Sequence, residues 1–326
     1  MRCIHGVWTP VLSAFLVAGL APTAHGQSEN YPDRPITVVV AYPAGGSTDL
    51  TGRAVADQLA RKLGVNVIVE NVGGAGGAIG AHKVSRAAAD GYTLLLGANN
   101  EIAINRLISP SVKYSYKDFT PIGLVASQPM VLVASTGSGI KTVDQFIKTV
   151  KAKPGHYSYG SSGVGTALHL SAEMAKQQAG LFMTHIPYRG VGPLTTDLYG
   201  GNVDFGVYVL SSGLPHIRSG KVVALGITEK KRSAVALDIA PLADHPLLKD
   251  MDIGVWFALM APPNLPDAVT MRLRKALAES LQAPEFRKKL EDSGSTVAPA
   301  NVDMDKFLAD ESGKYQRIVD FAKIKE

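Results

Sequence analysis

Two loops in this chain combine residue types that can hold an anion. One is Pro43-Ala44-Gly45-Gly46-Ser47-Thr48-Asp49, and the other is Gly160-Ser161-Ser162-Gly163-Val164-Gly165-Thr166. Each follows a strand-like run and opens an amphipathic segment. Glycines let a ligand approach the backbone. The first-turn N–H groups of a helix lack intrahelical partners, and the dipole adds positive potential there. Ser47, Thr48, Ser161, Ser162 and Thr166 add hydroxyl donors. Either loop alone is equally well a capped helix start. As a pair, one in each half of the chain, they point to a carboxylate or phosphate gripped from both sides.

Other chemistries fail on detail. Gly74-Ala75-Gly76-Gly77-Ala78-Ile79 follows a strand but lacks the third glycine of a dinucleotide loop. Gly160-Ser161-Ser162-Gly163-Val164 misses a nucleophile elbow at its last position. His82, His156, His169, His185, His216 and His245 form no short metal-binding pair. No metal and no cofactor is expected. His169 stands one turn into the helix after the second loop, so it either bonds that helix end or lines the cleft.

The elements that must position these loops alternate in type. Ile36 to Tyr42 reads as a buried strand, followed by a helix with Leu50, Ala54, Val55, Leu59 and Leu63 on one face. Val65 to Glu70 is a second strand and Tyr92 to Leu96 a third. Strand, loop, helix, strand is the signature of a parallel sheet covered by helices. The middle repeats the style. Ile122 to Ala126 and Met130 to Ala134 read as two strands on either side of Pro129. Further strands are expected at Tyr157 to Tyr159, Met183 to Ile186, Val203 to Val209 and Val222 to Thr228. Trp256 and Phe257 read as core. After Pro262-Pro263 only helices are expected, with no polar cluster, covering a face of the first unit.

Composition sets the frame. The chain has 326 residues, 46% hydrophobic and 19% charged, which is globular and long enough for two domains. The net charge of +5 is scattered, with no stripe for nucleic acid. Residues 1–26 read as a cleaved secretory signal. Arg2 is followed by the apolar run Val11 to Leu20, too short to span a bilayer, and by Ala24-His25-Gly26 before a cut at Gln27. Cys3, the one cysteine, lies inside that segment, so no disulfide or cysteine nucleophile is expected in the mature chain. Export without disulfides suits a bacterial periplasm.

Ordered motifs along the mature chain resemble one family, the periplasmic receptors of tripartite tricarboxylate transporters, or Bug receptors. They run from Tyr31-Pro32-Asp33-Arg34-Pro35-Ile36 through Tyr42 to Asp49, Val69-Glu70-Asn71 and Asp90-Gly91-Tyr92-Thr93. Tyr159 to Thr166 with His169-Leu170, His185 to Gly190, Gly201-Asn202-Val203-Asp204 and Leu214-Pro215-His216-Ile217 complete the series. Each is weak alone; their order and spacing together are specific.

The resemblance implies an α/β, two-lobed type II periplasmic-binding-protein fold, with two mixed or parallel sheets flanked by helices and a hinged cleft. Lobe 1 would be 27–126 plus 226–326, and lobe 2 would be 127–225. The protein would capture a di- or tricarboxylate, or an aromatic carboxylate such as terephthalate. It would deliver it as a monomer to membrane permease subunits and catalyse nothing. The alternative is an exported α/β hydrolase or oxidoreductase. The expected ligand-binding residues are Tyr42, Ala44, Gly45, Gly46, Ser47, Thr48, Asp49, Asn99, Ser161, Ser162, Gly163, Thr166, His169 and Tyr208. Asp49 is expected to orient its loop without touching the ligand. Tyr208 stands where many relatives carry an acid, so it reads either as an amine-free cleft wall or as a core tyrosine.

Overall fold

The computed structural model describes residues 30–324, together with Met1 and Cys3. The expected leader and its cleavage site therefore fall outside the described residues, apart from those two.

The first sheet grows from the β-branched run Ile36–Val40 (β1). A helix, Ser47–Leu63 (α1), returns the chain to Val67–Asn71 (β2), and Ala78–Ser85 (α2) returns it to Thr93–Ala98 (β3). Both β2 and β3 lie parallel to β1, with Val38 facing Val69 on one side and Leu94 on the other. The buried face of α1 runs through Thr51, Ala54, Val55, Gln58 and Leu59. Leu50, expected on that face, is 45% exposed. At 3.6 residues per turn it lies roughly a third of a turn from the middle of the buried stripe.

After β3 the chain makes a wide helical turn, Asn100–Ile104, that runs into Asn105–Ile108 (α3). No hydrophobic periodicity marks this segment, because its inward residues Asn100, Glu101 and Asn105 are polar.

The strand Thr120–Ser135 (β4) has 16 residues and belongs to both halves of the molecule. Up to Pro129 it pairs with Gly254–Ala261 (β9), which also lies antiparallel to β3. From Met130 onward it pairs with strands of the second half. Two strands broken at Pro129 were expected; one continuous strand is found. Proline lacks an N–H, but here the strand changes partners, so little of a ladder is lost.

The second half contains Val143–Ala152 (α4), Ser158–Ser161 (β5), Ala167–Ala179 (α5), Thr184–Pro187 (β6), Val191–Gly200 (α6), Phe205–Val209 (β7), Leu210–Arg218 (α7) and Val222–Ile227 (β8). β6, β5 and β7 are parallel neighbours, and β4 lies antiparallel between β7 and β8. The return path follows β8. Thr228 N–H donates to Met130 O (2.9 Å), and its hydroxyl donates to Ile253 O (2.6 Å).

Helices Asp267–Gln282 (α8) and Pro284–Asp292 (α9) pack on α1, and α8 also on β4, covering the first sheet as expected. The rest of the tail departs from expectation. Thr296–Val297 (β10) adds a short antiparallel strand to β4. The last helix, Met304–Ala322 (α10), packs against α5 as well as against the Asn100–Ile108 segment. It also carries polar contacts: Trp256 Nε1 donates to Glu311 (2.7 Å), and Asn99 Nδ2 donates to Tyr315 Oη (2.6 Å). Trp256 and Phe257 are core residues, as expected.

Candidate functional site

The loop after β1 is tied down by one carboxylate. Asp49 is 2% exposed and accepts from Gly45 N–H (2.9 Å), Arg53 Nε (3.0 Å) and Asn71 Nδ2 (2.9 Å). Burial alone would raise its pKa; those three donors outweigh burial and lower it. Gly45 sits at φ +88, a conformation side chains disfavour. The N-cap of α1 is Gly46, with no side-chain bond, although Ser47, Thr48 and Asp49 beside it are types that cap helices. The first-turn amides of α1 therefore keep no acceptor from a cap.

The loop after β5 differs. Thr166 caps α5, accepting from His169 N–H (3.3 Å) and donating to Gly163 O (2.9 Å). Gly165 N–H donates to His169 Nδ1 (2.9 Å), and Ala167 N–H donates to Asn100 Oδ1 (2.5 Å). The amides at this helix start are thus largely occupied by the protein itself. His169 lies flat on His185 with ring centroids 3.8 Å apart. Burial lowers His169 to a pKa of about 4 and His185 to about 3. Ser161 Oγ is 2.8 Å from His185 Nε2, but Ser161 has no exposed surface and its hydroxyl donates to Gly163 O (2.9 Å). Neither Ser161 nor His185 borders the cavities described below.

Between the halves lies a cavity of about 390 Å³. Tyr42 to Thr48 form one side of it. The opposite side is built by the start of α6, from Arg189 to Pro193 with Thr195, and by Val209, Ser212 and His216 of the β7–α7 corner. A second space of about 770 Å³ continues from it past Gly73 to Gly77, sharing Tyr42, Pro43, Ser162, Arg189 and Gly190. Arg189 is exposed and is the charged side chain on both linings among the described residues. Burial lowers the pKa of His216, which favours its neutral form.

Of the expected residues, Tyr42, Ala44, Gly45, Gly46, Ser47, Thr48 and Ser162 border the 390 Å³ cavity, and Gly163 borders the larger one. Asp49, Ser161, Thr166 and His169 stand behind these surfaces, engaged in the bonds above. Asn99 is buried and turned away, with Nδ2 donating to Gly254 O (3.0 Å) and Tyr315; its neighbour Asn100 lines the cavity instead. Tyr208 is likewise absent from the lining. It is fully buried in a core cluster, and its hydroxyl is 2.8 Å from Thr195 Oγ1. Thr195, not Tyr208, borders the cavity. The starts of α6 and α7, which line the cavity, are not among the expected residues. Arg189-Gly190-Val191-Gly192-Pro193 carries the same strand-to-helix glycine signal as the other two loops, and Ser212 and His216 are one helical turn apart.

Two sheets joined by a shared strand, with helix starts from both converging on the gap, define the two-lobed fold of a solute-binding protein. Known proteins agree. Residues 51–324 match the Tripartite tricarboxylate transporter family receptor, and the chain belongs to that family. It is 34% identical to Protein BugT of Bordetella pertussis, over 95% of both chains. A Pseudomonas sp. protein encoded between tcbD and tcbE is 30% identical over 95% of this chain and 93% of its own. Among solved structures, an R. palustris protein with adipate superposes with a TM-score of 0.86 at 28% identity, covering 90% of this chain and 99% of that one. The periplasmic binding protein BugD gives 0.85 at 31%, with the same coverage. MatC from Rhodopseudomonas palustris with bound malate gives 0.82 at 29%, covering 89% and 100%.

Proposed function

We propose that the cleft captures a small organic carboxylate and that the closed protein hands it to the membrane permease of a tripartite transporter. One observation carries the reading. Helix starts from both halves and the Arg189 guanidinium border a cavity whose lining, among the described residues, carries no Asp or Glu. An anion finds donors there, whereas an ammonium group finds no carboxylate. The bound malate and adipate of the related structures fit the same chemistry. The apolar walls Leu168, Val191, Val209 and Val255 suit a flat or methylene body between carboxylates, so aromatic acids such as terephthalate belong in the same class.

In this reading the lobes are 27–126 with 226–326, and 127–225. The chain passes between sheets inside β4 at Met130 and again just after β8, which supports that division. Secretion past residue 26 and action as a monomer in the periplasm complete the proposal.

Thermal-shift and calorimetric titration of the protein with dicarboxylates, tricarboxylates, aromatic carboxylates and amino acids tests it. Stabilisation by one or more carboxylates, weakened at least tenfold in Arg189→Ala, is expected; each 1.4 kcal/mol is tenfold in Kd. Stabilisation by amino acids alone would overturn the reading.

A further inference from the structure

The Tyr42 hydroxyl borders the cavity and has three polar neighbours. Asn100 Nδ2 is at 2.7 Å, Gly76 O at 3.0 Å and Glu101 Oε2 at 3.0 Å. The orientation of the Asn100 amide is fixed, because its Oδ1 accepts from Ala167 N–H, so Nδ2 must be what faces Tyr42. Gly76 O can only accept, and it already takes one hydrogen from Asn105 Nδ2 (2.9 Å). A phenol has one hydrogen, and two acceptors compete for it if Glu101 is ionised. Every contact gains a hydrogen only when Glu101 carries a proton and donates it to Tyr42 Oη, while Tyr42 donates to Gly76 O.

Glu101 is 1% exposed, and its other oxygen accepts from Ala98 N–H (2.6 Å). Glycine at 77 makes room for it, since a Cβ there would lie 2.9 Å from Oε2. The titratable groups that face it are Tyr42, at the end of β1, and Tyr114, after α3; burial raises both their pKa values, so neither brings a charge. No cation acts on it among the described residues. Burial raises its own pKa from 4.5 to about 7, against the lowering effect of Ala98 N–H and Tyr42.

We propose that Glu101 is the positioning residue for Tyr42, and that binding of an anion in the cleft is coupled to uptake of one proton from water by the Glu101 carboxylate. This rests on the carboxylate reading above. An ionised Glu101 would place a second negative charge one hydrogen bond behind the surface that receives the ligand. It would also take the Tyr42 hydrogen from Gly76 O, leaving that carbonyl of the glycine loop beside the larger space to Asn105 Nδ2 alone. An anion therefore prefers the protonated form, and by linkage its binding tightens the hold of Glu101 on the proton.

Two measurements test the proposal. In carbon NMR of ring-labelled tyrosine, the Tyr42 resonance, assigned with Tyr42→Phe, should move with a midpoint of about 7 in the unliganded protein. It should stay flat in Glu101→Gln. In calorimetry with malate and adipate as probes, wild-type affinity should fall roughly tenfold between about pH 6 and about pH 8.5, with heats that depend on the buffer's ionisation enthalpy. Glu101→Gln, which mimics the protonated acid, should bind with little pH dependence and take up no proton. A flat wild-type Tyr42 resonance, or the same pH dependence in the glutamine variant, would overturn the proposal. If neither probe bound at any pH, the coupling would fall for these anions while the carboxylate reading would still rest on the wider panel above, and the tyrosine titration would still decide whether Glu101 positions Tyr42.

Discussion

Asn100 Oδ1 lies 2.5 Å from the Ala167 amide nitrogen, linking the segment after β3 to the helix start of the other half. The same side chain reaches Tyr42 on the cavity wall. A contact between the halves and the cavity wall thus share one amide, and separating the halves must break the Ala167 bond.

Asn100→Ala should open the unliganded protein. It leaves the Ala167 N–H without its acceptor, a cost of about 1–3 kcal/mol for a buried donor. Small-angle scattering should show a larger radius of gyration than for wild type, and saturating ligand should bring the two closer. Equal radii in both unliganded forms would show that this contact does not hold the halves together.

Asp49→Ala should lower the melting temperature and weaken binding together. Three donors, Gly45, Arg53 and Asn71, lose their acceptor at once, and the loop before α1 loses its anchor. A loss of about 2–4 kcal/mol in stability is expected. Abolished binding with unchanged melting would mean that Asp49 meets the ligand directly.

Tyr208→Phe removes one buried bond to Thr195 and no part of the cavity lining. Stability should fall by about 1 kcal/mol, with affinity changed less than about threefold. Tyr208→Asp should instead unfold the protein, because an unpaired carboxylate would enter a closed core. Calorimetry on the phenylalanine variant decides: a hundredfold loss would return Tyr208 to the ligand site.

Acid should destabilise the second half through His169 and His185. Their folded pKa values of about 4 and about 3 lie below 6.5, so between these limits the unfolded chain binds more protons. Stability is therefore full above about pH 6.5 and falls as pH drops towards 3, by several kcal/mol in all. Glu101 acts in the opposite sense. Its raised pKa means that the folded state holds the extra proton, so its contribution falls as pH rises from 4.5 to about 7. Urea unfolding across this range should show Glu101→Gln gaining on wild type as pH rises, and the double variant His169→Gln, His185→Gln losing the acid slope.

The alternation of β-branched runs, glycine loops and amphipathic segments was enough to read two α/β units, and the order of motifs was enough to read the family. Those signals are local: propensity, periodicity and turn chemistry act within a few residues. The anchoring role of Asp49 was also legible, since a carboxylate in a first turn has nearby amides to accept from. What the chain alone left open was which member of each adjacent pair meets the cavity. Ser161 is buried and Ser162 lines it; Asn99 is buried and Asn100 lines it. Neighbouring residues project in different directions, so only packing against the opposite half selects one. Packing also put α6 and α7 across from α1, filled the α5 start with Asn100 and His169, and sank Tyr208 behind Thr195. The Asn100 contact spans 67 residues of chain, and α6 and α7 are more remote still from α1. Sequence spacing carries no record of such distances; the joint burial of two sheets joined through β4 sets them.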